Sequence, residues 1–274
     1  MSGFLDDMAR SSAERVRHAL EREPMADLER RARSAARGAS LRLSPQNFDV
    51  IAEIKLRSPA AGPLGHQSDD WLARVAEYAR GGAAAVSVLT EPSRFDGSLD
   101  HLRQAAAVLQ PLGVPAMRKD FLVDPYQVLE ARAAGAGGVL VILRMLSKER
   151  ICALLDAAAD LGLFVLLEAF DEADLSTARD LLATRRREEA ILVGINSRDL
   201  QTLQVVQERF ATLAPMLPVG CAGVAESGVA TASDAREMRK LGYRLALIGT
   251  ALMSNDEPAL LLAEILKAAR TVRV

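Results

Sequence analysis

The chain has 274 residues, half of them apolar and 26% charged, with a formal net charge of −2 and a pI near 6.0. That length can bury a large core and is close to the ~250 residues of one α/β barrel, although two ordinary domains would also fit. Near-neutral charge with one Trp, three Tyr and seven Phe argues against a nucleic-acid partner, which needs a basic field and stacking platforms.

The opening segment, FLDDMARSSAERVRHALEREPMADLERRARSAARG, is rich in Arg, Glu and Ala and spaces Phe4, Leu5, Met8, Val16 and Leu20 roughly as a helix does. Pro24 divides it into two helical pieces. It lacks the apolar core of a signal peptide, and no apolar run in the chain reaches the roughly 18 residues of a membrane span. A cytoplasmic protein with no membrane partner is expected. Residues 1–46 are read as a helical arm and residues 47–274 as the catalytic domain.

From Asp49 onward short apolar runs alternate with amphipathic helices such as DDWLARVAEYARGG and SKERICALLDAAADLG. The runs lie at 49–54, 83–89, 114–118, 137–143, 163–169, 190–196, 219–226 and 244–249. They are apolar on both faces, as strands of a helix-covered parallel sheet must be, and several helices close at Gly. Eight such units predict a (β/α)₈ TIM barrel with an N-terminal helical extension. A doubly wound dinucleotide fold is disfavoured, because no GxGxxG follows the first run and no phosphate-binding P-loop occurs.

In a barrel the reactive groups stand at the C-terminal ends of strands. The first run ends in Glu53 and Lys55, two residues apart and so on one face. The second leads into Thr90, Glu91, Phe95 and Gly97; the third ends in Arg118-Lys119-Asp120-Phe121, and the fifth in Glu168. The sixth ends in Asn196-Ser197-Arg198-Asp199, the seventh in Glu226-Ser227-Gly228 and the eighth in Gly249-Thr250. Three carboxylates, two lysines and an arginine at one mouth make acid/base machinery for an anionic substrate.

No His ends a run: His18 lies in the arm, and His66 and His101 lie in or near loops, so neither a metal nor another cofactor is expected. Cys152 and Cys221 stand alone and read as reduced thiols. Gly228, Gly249 and Thr250, after the seventh and eighth runs, suit a phosphate group approached by backbone N–H groups.

These motifs resemble the indole-3-glycerol phosphate synthase family. FLDDM, IAEIK with the following RSP, AVSVLTE, RKDF with VDPYQV and EARAAGA, LLEA, GIN with RDL, AESGV and IGTALM occur in family order. The resemblance implies a carboxy-lyase of tryptophan biosynthesis. Such an enzyme closes the indole ring of 1-(2-carboxyphenylamino)-1-deoxyribulose 5-phosphate with loss of CO₂ and water.

By the same resemblance, Lys119 is the general acid for ring attack on the ketone, and Glu168 is the acid/base partner for later proton removal and dehydration. Glu53 and Lys55 position and polarise the substrate, with Lys55 a candidate acid for the second step. Asn196, Glu226 and Ser227 orient the sugar hydroxyls and the anthranilate nitrogen; Arg198 holds the carboxylate until it leaves, and Ser58 joins the substrate contacts. Phe95, Phe121 and Leu140 form an apolar wall, and the arm covers the mouth. A monomer or weak homodimer is expected.

Three positions depart from the usual family pattern: Ala60 follows the Ser-Pro pair where Ser is common, Phe170 stands in EAFD in place of EVHD, and Ser197 replaces the second Asn of GINNR. They leave open a paralogue acting on a modified anthranilate. Two rival functions on the same fold are a non-catalytic phosphosugar-binding barrel and a phosphosugar isomerase or epimerase.

Overall fold

Alternation along each apolar run decides which side chains face the barrel axis and which face the helices. The computed structural model describes residues 3–45, 48–58, 62–63, 70–185, 190–200 and 202–273. Its strands are β1 (Asp49–Ile54), β2 (Arg57–Ser58), β3 (Gly62–Pro63), β4 (Ala85–Leu89), β5 (Ala116–Lys119), β6 (Gly138–Ile142), β7 (Phe164–Ala169), β8 (Ile191–Asn196), β9 (Ala222–Glu226) and β10 (Leu245–Ile248). β2 and β3 form a small antiparallel hairpin just beyond β1. The other eight run parallel in the order β1-β10-β9-β8-β7-β6-β5-β4, and β4 pairs back with β1 to close the barrel.

All eight apolar runs are therefore strands of a TIM barrel, as expected, and the differences lie at their ends. The third begins at Ala116 because Pro115 has no N–H to give a ladder, and it extends through Lys119. The seventh begins only at Ala222, after a turn in which the Cys221 N–H donates to the Pro218 carbonyl and Gly220 takes φ +87°.

Ile51, Met117, Leu140, Leu166, Leu192, Val224 and Leu245 fill the barrel interior. Their neighbours Val50, Ala52, Val86, Val139, Val165 and Val193 face the helix layer. Side chains that read as one continuous apolar run thus serve two separate cores. Helix starts are fixed by capping groups in the preceding loops: Asp70, Ser98, Asp124, Ser147, Asp171 and Thr231 each accept a backbone N–H of the following helix. In helix Pro125–Ala133 proline occupies the first turn, where its missing N–H costs nothing, and Gln127 completes a capping box with Asp124.

The N-terminal segment forms α1 (Phe4–Arg22) and α2 (Met25–Ser34), divided at Pro24. α1 buries Met8, Ser12, Val16 and Ala19. It is tied to the barrel by polar contacts as well: Gln127 Nε2 donates to Ser12 Oγ at 2.8 Å, and the Tyr126 hydroxyl donates to the Glu23 carbonyl at 2.9 Å. α2 buries Leu28 and Ala32, and the chain after it is held by Arg132, which donates to the carbonyls of Ala35 and Ala36.

Candidate active site

The C-terminal ends of the strands surround a cavity of about 530 Å³. Glu53 and Lys55 reach it from β1 and its end, Lys119 from β5, Glu168 from β7, Asn196 from β8 and Glu226 from β9. Ser227, Arg198, Phe95, Phe121, Leu140, Gly228, Gly249 and Thr250 also line it. Fourteen of the fifteen residues singled out from the sequence thus share one space, although they come from positions 53 to 250. The fifteenth, Ser58, lies in β2, and Pro59, Ala60 and His66 lie outside the described residues.

Lys119 Nζ sits between two buried carboxylates, 3.3 Å from Glu168 Oε2 and 3.4 Å from Glu226 Oε2. Glu168 is steadied on its other oxygen by Asn196 Nδ2 at 2.8 Å. Beside this group Lys55 Nζ and Glu53 Oε1 form a second pair at 2.8 Å. Burial opposes the charge on Lys119, but Glu168, Glu226 and Glu53 outweigh it and raise the ammonium's pKa. Burial likewise opposes ionisation of Glu53, yet Lys55, Lys119 and Arg198 hold its carboxyl below the usual range. Glu226 goes the other way: burial, reinforced by the charge of Glu168, pushes it up to about 8 against the pull of Lys119. The site therefore offers one firmly protonated amine, one firmly ionised carboxylate and one carboxyl that retains its proton near neutrality.

The loops after β9 and β10 are braced from behind. Ser197 Oγ donates to the Ser227 carbonyl at 2.7 Å, and Gln207 Nε2 donates to the Gly228 carbonyl at 2.7 Å. In a trans peptide the N–H points opposite the carbonyl, so these two bonds fix the direction of the Gly228 and Val229 N–H groups. Ser227 itself takes φ +64°, a conformation uncommon for a residue with a side chain. Ser197, one of the departures from the family pattern, thus has a use in this loop. Gly249 has a second reason to be glycine: a Cβ there would overlap Glu53 Oε1 and come within 3.0 Å of Lys55 Nζ.

The apolar side of the cavity is larger than the three residues expected. Phe4 and Leu5 of α1 line it, with the Phe4 ring edge-on to Phe121 at 5.7 Å. Phe170 lines it too, two residues after Glu168 and on the same side of the strand. The Arg144 guanidinium lies 4.6 Å from the Phe170 ring centre, and Asp174 holds both Arg144 Nε and the Phe170 N–H at 2.8 Å. The inward parity of Phe170 with Glu168 was the sequence signal for this wall.

Other strand-end charges have structural work. Glu91 caps helix Pro92–Phe95 through the N–H groups of Ser93 and Arg94. Arg118 points outward between Thr90, Gln127 and Glu130. Asp120 touches the cavity but is gripped by Arg15 of α1 in a two-bond contact at 2.7 and 2.9 Å.

The chain matches the indole-3-glycerol phosphate synthase family over residues 5–265. It is 43% identical over 226 residues to an indole-3-glycerol phosphate synthase of Parafrankia sp. (strain EAN1pec), covering 82% of this chain and 80% of that one. With the enzyme of the same name from Leifsonia xyli subsp. xyli it shares 40% identity over 266 residues, covering 95% of this chain and 94% of that one. Among solved structures, 3-hexulose-6-phosphate synthase from Salmonella typhimurium matches with a TM-score of 0.61 at 11% identity, covering 81% of this chain and 98% of that one, a likeness of fold alone.

Proposed function

The chain belongs to the indole-3-glycerol phosphate synthase family, and from that membership together with its complete set of strand-end groups we infer that it performs the family's ring closure. It is a carboxy-lyase of tryptophan biosynthesis, acting on 1-(2-carboxyphenylamino)-1-deoxyribulose 5-phosphate. The observation that carries the mechanism is the Lys119 ammonium held between Glu168 and Glu226 at the floor of the cavity.

Attack of the aromatic carbon on the ketone places negative charge on the ketone oxygen. An alkoxide is a strong enough base to take a proton even from an amine whose pKa has been raised, and Lys119 is fully protonated and ready to give it. Loss of CO₂ then returns an electron pair to the ring. Glu168, oriented by Asn196, takes the ring proton in the final elimination of water, with Lys55 as the acid that lets the hydroxyl depart. Arg198 pairs with the substrate carboxylate before it leaves. Ser227, Glu226 and Asn196 orient the sugar hydroxyls and the nitrogen.

The phosphate is assigned to Gly228, Gly249 and Thr250, a reading supported by the braced peptides after β9 and by the short helix Thr250–Met253 that follows β10. Phe95, Phe121 and Leu140 hold the ring and exclude water, which strengthens every charge interaction below them. Ser58, in the hairpin that follows β1, is assigned to the substrate's edge.

Among the described residues no helix is long and apolar enough to cross a membrane. Adding the substrate to purified protein and following indole fluorescence tests the assignment. Turnover is the expected result; a folded protein that yields no indole product overturns it.

A further inference from the structure

We propose that Gly194, in the middle of β8, is a positioning residue for Glu226: its missing side chain is the seat that keeps this carboxyl low in the barrel beside Lys119. The inference rests on the reading that Glu226 takes part in the ring closure. β8 turns Leu192, Gly194 and Asn196 toward the axis, and in the ladder Asn196 lies opposite Glu226 while Gly194 lies opposite Val224. The Glu226 side chain therefore leans across from β9 and down, onto the strand position below its own partner.

One of its oxygens, Oε2, faces Lys119 at 3.4 Å. The other, Oε1, is buried, has no hydrogen-bond partner among the described residues, and occupies the space over Gly194. A Cβ at position 194 would overlap Oε1 and stand 3.0 Å from Glu226 Cδ. The added methyl is crowded by a second neighbour as well, because Leu166 Cδ1 of β7 is only 3.1 Å from that same point. Nearby inward positions are filled by Leu166, Leu192, Val224 and Leu247, so a bare glycine here marks a place reserved for another residue's atoms. A methyl group would push the carboxyl up into the substrate's space and away from Lys119.

The test combines Gly194→Ala with Glu226→Asp, whose side chain is shorter by one methylene, and includes Glu226→Ala as a control, with kcat and KM measured for each. Gly194→Ala is expected to lower kcat/KM by about tenfold or more, and adding Glu226→Asp to recover part of that loss, the non-additivity of side chains in contact. Gly194→Ala at the normal rate, or a double variant equal to the product of the two single losses, overturns the proposal while leaving the role of Glu226 intact. A normal rate in Glu226→Ala instead overturns the role of Glu226 and the proposal with it. If Gly194→Ala does not fold, Gly194→Ala/Glu226→Gly must recover folding, since it removes the colliding group; failure to do so also overturns the proposal.

Discussion

Two neighbouring cations on β5 face opposite ways, one into a structural network and the other, proposed as the general acid, into the cavity. Arg118, turned outward and almost fully buried, is bonded all round: its guanidinium reaches the Gln127 carbonyl at 2.8 Å, Glu130 at 3.0 Å, Asp120 at 3.1 Å and Thr90 at 3.2 Å. Lys119, turned inward, has two longer contacts at 3.3 and 3.4 Å, and its partner Glu226 leaves one oxygen unbonded among the described residues. The charge that holds the fold is bonded at each of its three nitrogens. The proposed general acid is neutralised without being saturated, an arrangement that would keep the cost of moving its proton low.

The sharpest break of this contrast is at Lys119. Lys119→Ala should lower kcat by about 10³-fold or more while the melting temperature moves little, because general acid catalysis contributes ~10²–10⁴ and the residue faces a cavity. Near-normal turnover would remove Lys119 from the mechanism. Asp120→Ala should do the reverse. It strips Arg118 and Arg15 of a buried carboxylate and should cost about 3–5 kcal/mol in urea unfolding, with turnover falling only as far as the arm loosens. Equal effects of the two substitutions on stability would erase the distinction between the faces.

Glu226 sharpens it through pH. Its folded pKa, about 8, lies above the ordinary 4.5, so the folded state holds a proton that the unfolded chain releases. That contribution to stability is complete below about pH 4.5 and is lost as pH rises through about 8. Glu226→Gln should abolish this loss, so that the variant gains on the parent protein between pH 5 and pH 8 in parallel thermal melts. A constant difference across that window would contradict it. The smallest effect is expected at Ser197→Ala, which leaves the Ser227 carbonyl without its bond at a cost of ~1 kcal/mol and should raise KM a few-fold with kcat unchanged. An unchanged KM would separate Ser197 from the phosphate loop.

The barrel was legible because burial on both faces leaves long apolar runs, and because Asp-Pro, Ser and Thr capping signals mark where each helix begins. The site was legible because a parallel barrel gathers its strand ends at one mouth. What could not be read depends on contacts distant in sequence. Nothing near Asp120 announces Arg15, its partner 105 residues earlier. Glu91 reads like any other strand-end carboxylate until the N–H groups of Ser93 and Arg94 turn toward it. Gly194 was visible as a lone glycine inside a strand, a signal of close approach, but the atom approaching it comes from Glu226, on the next strand. Gly249 was read for phosphate alone, and its tight fit against Glu53 depends on β10 lying beside β1, which closure of the barrel decides.

That closure also sets a timetable. The ribosome delivers Lys119 before β7 and β9, which carry its two glutamates, and delivers Arg15 long before the Asp120 it grips. A nascent chain ending after β6 holds a lysine with neither carboxylate beside it, and β1 waits for β10, whose last turn supplies the glycine against Glu53. Until β10 is delivered, β1 lacks one of its two neighbours and Glu53 lacks the glycine packed against it, so the groups around the cavity come together only with the last strand of the barrel.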